Sequence, residues 1–175
     1  MKPAAICFGR EHGLFTLAAE QWLPSLRDEV FPFFADAANL NLLTPPWLRF
    51  EVLRCVPVAL CAGARIDYRL QLHGLPIRWQ SEITEWSPPC GFVDEQRRGP
   101  YRVWIHEHGF EERDGGTLVC DRVRYAVFGG AVVERLLVRR DLQRIFGYRQ
   151  RKLAERFQAG AAKPAEAAGR RIGGS

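Results

Sequence analysis

At 175 residues, 47% apolar and 26% charged, the chain fits a single globular domain with a sizeable core. No apolar run approaches the roughly 20 residues that a membrane-crossing helix needs. Five cysteines (Cys7, Cys55, Cys61, Cys90, Cys120) are odd in number and never spaced CxxC, which argues against a disulfide framework or a thiolate zinc site and for reduced thiols in a cytoplasmic protein.

The N-terminus is too short in apolar residues for a signal peptide, so residues 1–11 read as a loose leader. A first strand is expected from His12 to about Trp22. Pro24-Ser25 then opens a helix with Ser25 as N-cap and Asp28 and Glu29 in the first turn. Pro32 should kink or divide that helix, and a second helical piece over 37–43 ends before Thr44-Pro45-Pro46.

Six strand signals follow, over 47–54, 64–72, 75–86, 91–97, 101–113 and 117–127. The turns between them include His73-Gly74, Ser87-Pro88-Pro89, Arg98-Gly99-Pro100 and Asp114-Gly115-Gly116. Consecutive strands joined by tight turns are antiparallel, because parallel neighbours need long crossovers. A last helix from about Ala131 to Phe157 repeats Leu142, Ile145, Phe146 and Leu153 at helical spacing. Such a rod, about 40 Å long, can lid a whole sheet. The expected fold is therefore α+β: a curved antiparallel sheet of about seven strands, two short helices after the first, and a long C-terminal helix. Residues 12–158 form the domain, and 159–175, almost without large apolar groups, read as a disordered basic tail.

The net charge of +5 is unevenly placed, with +7 on the last helix and tail and −2 on the rest. A solvated helix face is the commoner meaning. An anionic partner is the other, with peripheral membrane contact possible and no nucleic acid expected.

Strand parity puts Trp104, His106, His108 and Phe110 on one face, and Val119, Asp121, Val123 and Tyr125 on one face of the next strand. A two-residue Asp114-Gly115 turn sets His108 opposite Asp121, His106 opposite Val123 and Trp104 opposite Tyr125. A Gly115-Gly116 turn would shift the partners but keep the shared face. The His73-Gly74 turn likewise pairs Tyr68 with Trp79. Many aromatics with isolated polar groups describe a ligand pocket, and equally an ordinary sheet core.

The run Gly99-Pro100-Tyr101-Arg102-Val103-Trp104-Ile105-His106-Glu107-His108-Gly109-Phe110, followed by Asp121-Arg122-Val123-Arg124-Tyr125, resembles bacterial members of the START/polyketide-cyclase (SRPBCC) superfamily. These share the helix-grip fold of the birch-pollen allergen. Asn39-Leu40 before Leu43-Thr44-Pro45, Phe92-Val93-Asp94-Glu95-Gln96 and Ile145-Phe146-Gly147-Tyr148-Arg149 extend the likeness to roughly residues 13–157. Phe128 stands where relatives have a proline between last strand and helix. The resemblance implies a cavity between sheet and helix for a lipid, polyketide or quinone-like molecule, with some members acting as cyclases or dehydratases. Face parity and resemblance together give the candidate ligand-binding residues: Tyr68, Trp79, Gln96, Trp104, His106, His108, Phe110, Asp121, Tyr125, Phe146 and Arg149.

His106 and His108, with Asp121, could ligate a metal. His108 oriented by Asp121 could act as an acid–base pair. A satisfied polar network is the favoured role for both, and no metal or cofactor is expected. Arg149, on the apolar stripe of the last helix, either meets an anionic ligand group or carries its head to the rim, the rim being favoured. Three functions follow: a carrier of an apolar molecule first, a cofactor-independent cyclase or dehydratase second, an interaction module using the basic helix and tail third.

Overall fold

The computed structural model describes residues 5–57 and 59–158; the tail expected to be disordered lies outside them. Eight strands form one antiparallel sheet: β1 (Ile6–Glu11), β2 (Leu14–Leu23), β3 (Glu51–Val56), β4 (Arg65–Leu72), β5 (Leu75–Ser87), β6 (Gly91–Arg98), β7 (Val103–Arg113) and β8 (Gly116–Ala126). Their spatial order is β1-β2-β8-β7-β6-β5-β4-β3. Every neighbouring pair except β2–β8 is also consecutive in the chain.

Three of the hairpin turns are His12-Gly13, His73-Gly74 and Asp114-Gly115, with positive φ at both residues (47° and 83°, 50° and 83°, 51° and 72°). That conformation matches the right-handed strand twist, and glycine adopts its second position without a Cβ penalty. Asp114-Gly115 sets His108 opposite Asp121 and Trp104 opposite Tyr125, and His73-Gly74 sets Tyr68 opposite Trp79, as the two-residue turns require.

The loose leader is corrected. Residues 6–11 are an edge strand paired with β2, and Ile6 and Phe8 pack partly buried against the core. The overlooked signal was His12-Gly13, the same dipeptide that makes the turn at 73–74.

α1 (Arg27–Phe34) follows β2, and Leu26 is its N-cap. Ser25 is not the cap: the helix begins one residue later than expected, and the Ser25 carbonyl accepts a hydrogen bond from the Thr117 hydroxyl at 2.7 Å that ties this corner to β8. Pro32 sits inside α1, which ends at Phe34, so the helical region divides two residues beyond the proline. The Asp36 side chain accepts from the Ala38 amide and opens a 3₁₀ turn (Ala37–Asn39) that runs into α2 (Leu40–Leu43).

The C-terminal rod begins as α3 (Gly130–Val133), passes through a π-helical turn (Glu134–Val138) and continues as α4 (Arg139–Gln158). Leu142, Phe146, Arg149, Leu153 and Phe157 recur every three or four residues and are all buried toward the sheet. Burying one such leucine or phenylalanine contributes about 1.5–3 kcal/mol, so this stripe holds the rod across the concave face. α1 packs over one end of that face, where Phe31 and Phe34 meet Phe110 edge-on at 5.4 and 4.9 Å.

Candidate functional site

Between the concave face, α2 and α4 lies a cavity of about 190 Å³. Its wall is mostly apolar, with a run of packed aromatic rings. Tyr68 stacks on Trp79 at 5.7 Å, Trp79 meets Trp104 at 90°, and Tyr101 packs on Trp104 at 4.6 Å. Leu40, Leu43, Leu142, Ile145 and Phe146 complete it from the helices.

Ser81, Asp94, His106, His108 and Arg149 collect in one corner, while Asp36, Asn39 and Thr44 line the cavity from the helical segment. Ser81 lies at the centre of a small chain: Trp79 Nε1–H donates to its hydroxyl at 3.1 Å, and the Tyr68 hydroxyl lies 3.2 Å away. The Ser81 hydroxyl in turn donates to Asp94 Oδ1 at 3.2 Å. Asp94 Oδ2 faces His108 Nε2 at 2.9 Å and His106 Nδ1 at 3.7 Å. Behind the imidazoles sits Asp121, whose Oδ1 is 2.9 Å from His106 Nε2 and 3.1 Å from His108 Nδ1. Arg149 reaches in from α4, with a guanidinium nitrogen 3.2 Å from Asp121 Oδ1. The two rings pack at 3.8 Å centroid to centroid, and Phe92 stacks on the far side of His108 at 4.2 Å.

Electrostatics separates the two histidines. Burial and the neighbouring His108 push the His106 pKa below the usual imidazole value, despite its bond to Asp121. Burial also opposes charging His108, but hydrogen bonds to Asp121 and Asp94 outweigh it and raise its pKa. Asp121 is held well below the carboxylate range: burial opposes ionisation, yet the Arg149 charge and the imidazole hydrogen bonds prevail. Asp94 is also lowered, its burial overcome by the His108 bond and the charges of both histidines. The corner thus gathers two carboxylates, Arg149 and two imidazoles of opposed proton affinity.

Seven of the eleven residues singled out from the sequence line the cavity: Tyr68, Trp79, Trp104, His106, His108, Phe146 and Arg149. The other four are corrected. Gln96 is committed to Tyr101, its amide donating to the Tyr101 carbonyl at 2.8 Å and accepting from the Tyr101 N–H at 3.2 Å, so it closes the Gly99-Pro100 turn. Phe110 is packed among Phe31, Phe34 and Phe92 in the core. The buried Tyr125 donates its hydroxyl to Glu134 Oε1 at 3.0 Å. Asp121 stands behind the histidines as their shared acceptor and does not reach the cavity surface. Arg149 does not swing to the rim: the buried Asp121 carboxylate draws its head inward.

Asp94, Ser81 and Tyr101 were not singled out. Parity with Phe92 on β6 places Asp94 inward, but the Ser87-Pro88-Pro89 turn gives no register from which to see it meet His106 and His108.

No family model and no curated relative matches the sequence. Solved structures do match in shape. Protein Ms6760 from Mycobacterium smegmatis superposes with a TM-score of 0.66 at 17% identity, covering 89% of this chain and 99% of that one. TTHA0849 from Thermus thermophilus gives 0.61 at 21%, covering 84% and 99%. The major latex-like protein 151 of Panax ginseng gives 0.59 at 10%, covering 83% and 98%. At such identities the likeness concerns fold alone: the domain has the helix-grip fold, an antiparallel sheet gripping a long C-terminal helix.

Proposed function

We propose that this helix-grip domain binds an apolar small molecule, with the ligand's polar end set against the Asp94–His106–His108 corner. The observation that carries this reading is an apolar cavity whose only cluster of ionisable groups, among the described residues, converges at one end. A volume of about 190 Å³ lies below the usual range of roughly 300–1,000 Å³ for ligand clefts, which favours a compact one- or two-ring molecule over a long acyl chain. Native mass spectrometry of the purified protein tests it: an apolar compound bound one to one is expected. An empty protein that also fails to take up a naphthalene-type fluorescent probe would refute it.

The opposed proton affinities of His106 and His108 favour a second reading, a cyclase or dehydratase of polyketide-like substrates. Neutral His106 would accept a proton from the carbon beside a carbonyl, and protonated His108 would deliver one to the departing hydroxyl, so that water leaves and a double bond forms. Recovery of an extracted ligand chemically unchanged after incubation favours carriage; its conversion favours catalysis.

The basic helix also presents apolar groups outward. Phe128, in the turn that precedes the helix, and Val132 are each 67% exposed and Leu136 is 54% exposed, beside Arg135 and Arg140. This combination fits contact with an anionic membrane surface. Salt-sensitive sedimentation with phosphatidylserine vesicles, lost in Leu136→Glu, is the expected result; sedimentation unaffected by that change would count against it.

A further inference from the structure

The hydrogen-bond pattern behind the two histidines fixes what they present in front. One Asp121 oxygen lies within bonding distance of His106 Nε2 and His108 Nδ1. A carboxylate only accepts, so His106 Nε2, which hydrogen-bonds it at 2.9 Å, carries hydrogen; His108 Nδ1 also lies 3.3 Å from an Arg149 guanidinium nitrogen, which only donates, while its Nε2 bonds Asp94 Oδ2. In its uncharged ring His106 therefore presents a lone pair at Nδ1, and both His106 Nδ1 and His108 Nε2 face Asp94 Oδ2. Three possible ligand atoms, one nitrogen from each ring and an Asp94 oxygen, thus lie within 4.8 Å of one another. A single proton between His108 and Asp94 satisfies one pair. It leaves His106 Nδ1 with no hydrogen-bond partner, 3.7 Å from a carboxylate oxygen that repels its lone pair.

We infer that Asp94, His106 and His108 form a binding site for a divalent transition-metal ion of the zinc type. An ion about 2.1 Å from each of three tetrahedrally placed ligands separates them by about 3.4 Å, and the observed 2.9 and 3.7 Å bracket that spacing. Two imidazoles and one carboxylate suit zinc or cobalt(II) rather than the all-oxygen preference of calcium or magnesium. Asp121 supplies the carboxylate behind both imidazoles that orients metal-bound histidines and raises their basicity. It is a positioning residue here, not the third ligand that the His-x-His spacing alone suggests. Arg149 holds Asp121 from the far side, and Ser81 fixes Asp94 through Oδ1, leaving Oδ2 for the ion. All three ligands line the cavity, so a three-ligand ion keeps its open position toward whatever enters. That position fits a ligand oxygen: a phenolate, an enolate or a 1,3-dicarbonyl.

The test is titration of chelator-stripped protein with cobalt(II), then zinc, in the absence of any organic ligand. One-to-one uptake in the low-micromolar range is expected, with the intensified visible absorption of low-coordinate cobalt. Asp94→Asn and His106→Gln should each abolish it, whereas Asp121→Asn should weaken it about 10–100-fold. His73→Gln removes the exposed His73–Asp141 pair, the obvious surface competitor, and should change nothing. X-ray absorption of the zinc-loaded wild type, which needs no variant to fold, should count two imidazoles around the ion. No stoichiometric uptake, uptake that survives Asp94→Asn, uptake lost in His73→Gln, or fewer than two imidazoles would each overturn the site. The ligand reading and this one fail separately: the titration needs no organic ligand, and the mass-spectrometric test needs no metal.

Discussion

Asp121 stands directly across the β7–β8 ladder from His108, yet it shares a single carboxylate oxygen between that ring and His106 two residues earlier. His106 and Arg149 both donate to this oxygen, and the same Arg149 nitrogen lies 3.3 Å from His108 Nδ1. Asp121→Asn keeps an oxygen acceptor but loses the charge, and should cost about 1–2 kcal/mol. Asp121→Leu strands two buried donors, one of them cationic, and should cost about 3–5 kcal/mol. Chemical denaturation of both variants checks the order. Equal destabilisation by the two would mean that the carboxylate is not a shared acceptor.

The cavity can be closed from the helix side without touching the polar corner. Ile145 lines it and is only partly buried, so Ile145→Trp should fill space rather than break packing. Binding of an apolar fluorescent probe should weaken at least tenfold, about 1.4 kcal/mol, with a melting temperature within a few degrees of the parent. Unchanged probe affinity would place the binding surface elsewhere.

Three of the four tyrosines are held protonated by the fold. Burial raises the hydroxyl pKa of Tyr68, Tyr101 and Tyr125, reinforced by the charges of Asp94, Asp141 and the hydrogen bond to Glu134 respectively. A folded-state pKa above the unfolded value of about 10 gives a contribution to stability that is complete below that pH and declines as pH rises beyond it. The melting temperature should therefore fall above about pH 10, and most phenolate absorbance should appear together with unfolding. A full tyrosinate spectrum in protein that remains folded would contradict this.

Gly91 and Gly109 face each other on β6 and β7 but are not equivalent. A Cβ on Gly91 would lie 2.4 Å from the His108 carbonyl oxygen, whereas one on Gly109 meets Cys120 at ordinary distances, 3.5 Å from its Cβ and 3.7 Å from its carbonyl oxygen. Gly91→Ala should cost about 3 kcal/mol, while Gly109→Ala should stay within about 1 kcal/mol of the parent. Thermal melts of the pair decide it, and a reversal would mean that the backbones are spaced differently at the site's back wall.

Hairpin chemistry is local, which is why so much of this fold was legible in advance. Asp114-Gly115 and His73-Gly74 fix their own backbone angles, and a fixed turn fixes every cross-strand pair behind it. The His108–Asp121 opposition and the Tyr68–Trp79 pair follow directly. The contribution of Asp94 was not legible, because β6 is joined to its neighbours by longer connections whose geometry depends on packing. Arg149 was misjudged for a related reason: helix periodicity tells that a side chain lies on the inner stripe, but the buried carboxylate that draws it inward comes from another element. Tyr125 has the right parity for the cavity, yet Glu134 in the π-helical turn holds its hydroxyl within the core.

The solitary non-local pairing in the sheet has a kinetic meaning. The β3-to-β8 meander can zip from hairpin to hairpin, but β2 must find β8 across the length of the domain, a seam pinned by the Thr117 hydroxyl on the Ser25 carbonyl, 92 residues away in sequence. Closing that loop costs chain entropy before any contact repays it, so seam formation governs the refolding rate. Leu17→Ala, in the seam opposite Val123, should slow refolding by most of its stability loss, whereas Val52→Ala at the β3 edge should act chiefly by hastening unfolding. Stopped-flow chevrons of the two variants read this directly: the step that limits folding lies at the β2–β8 seam.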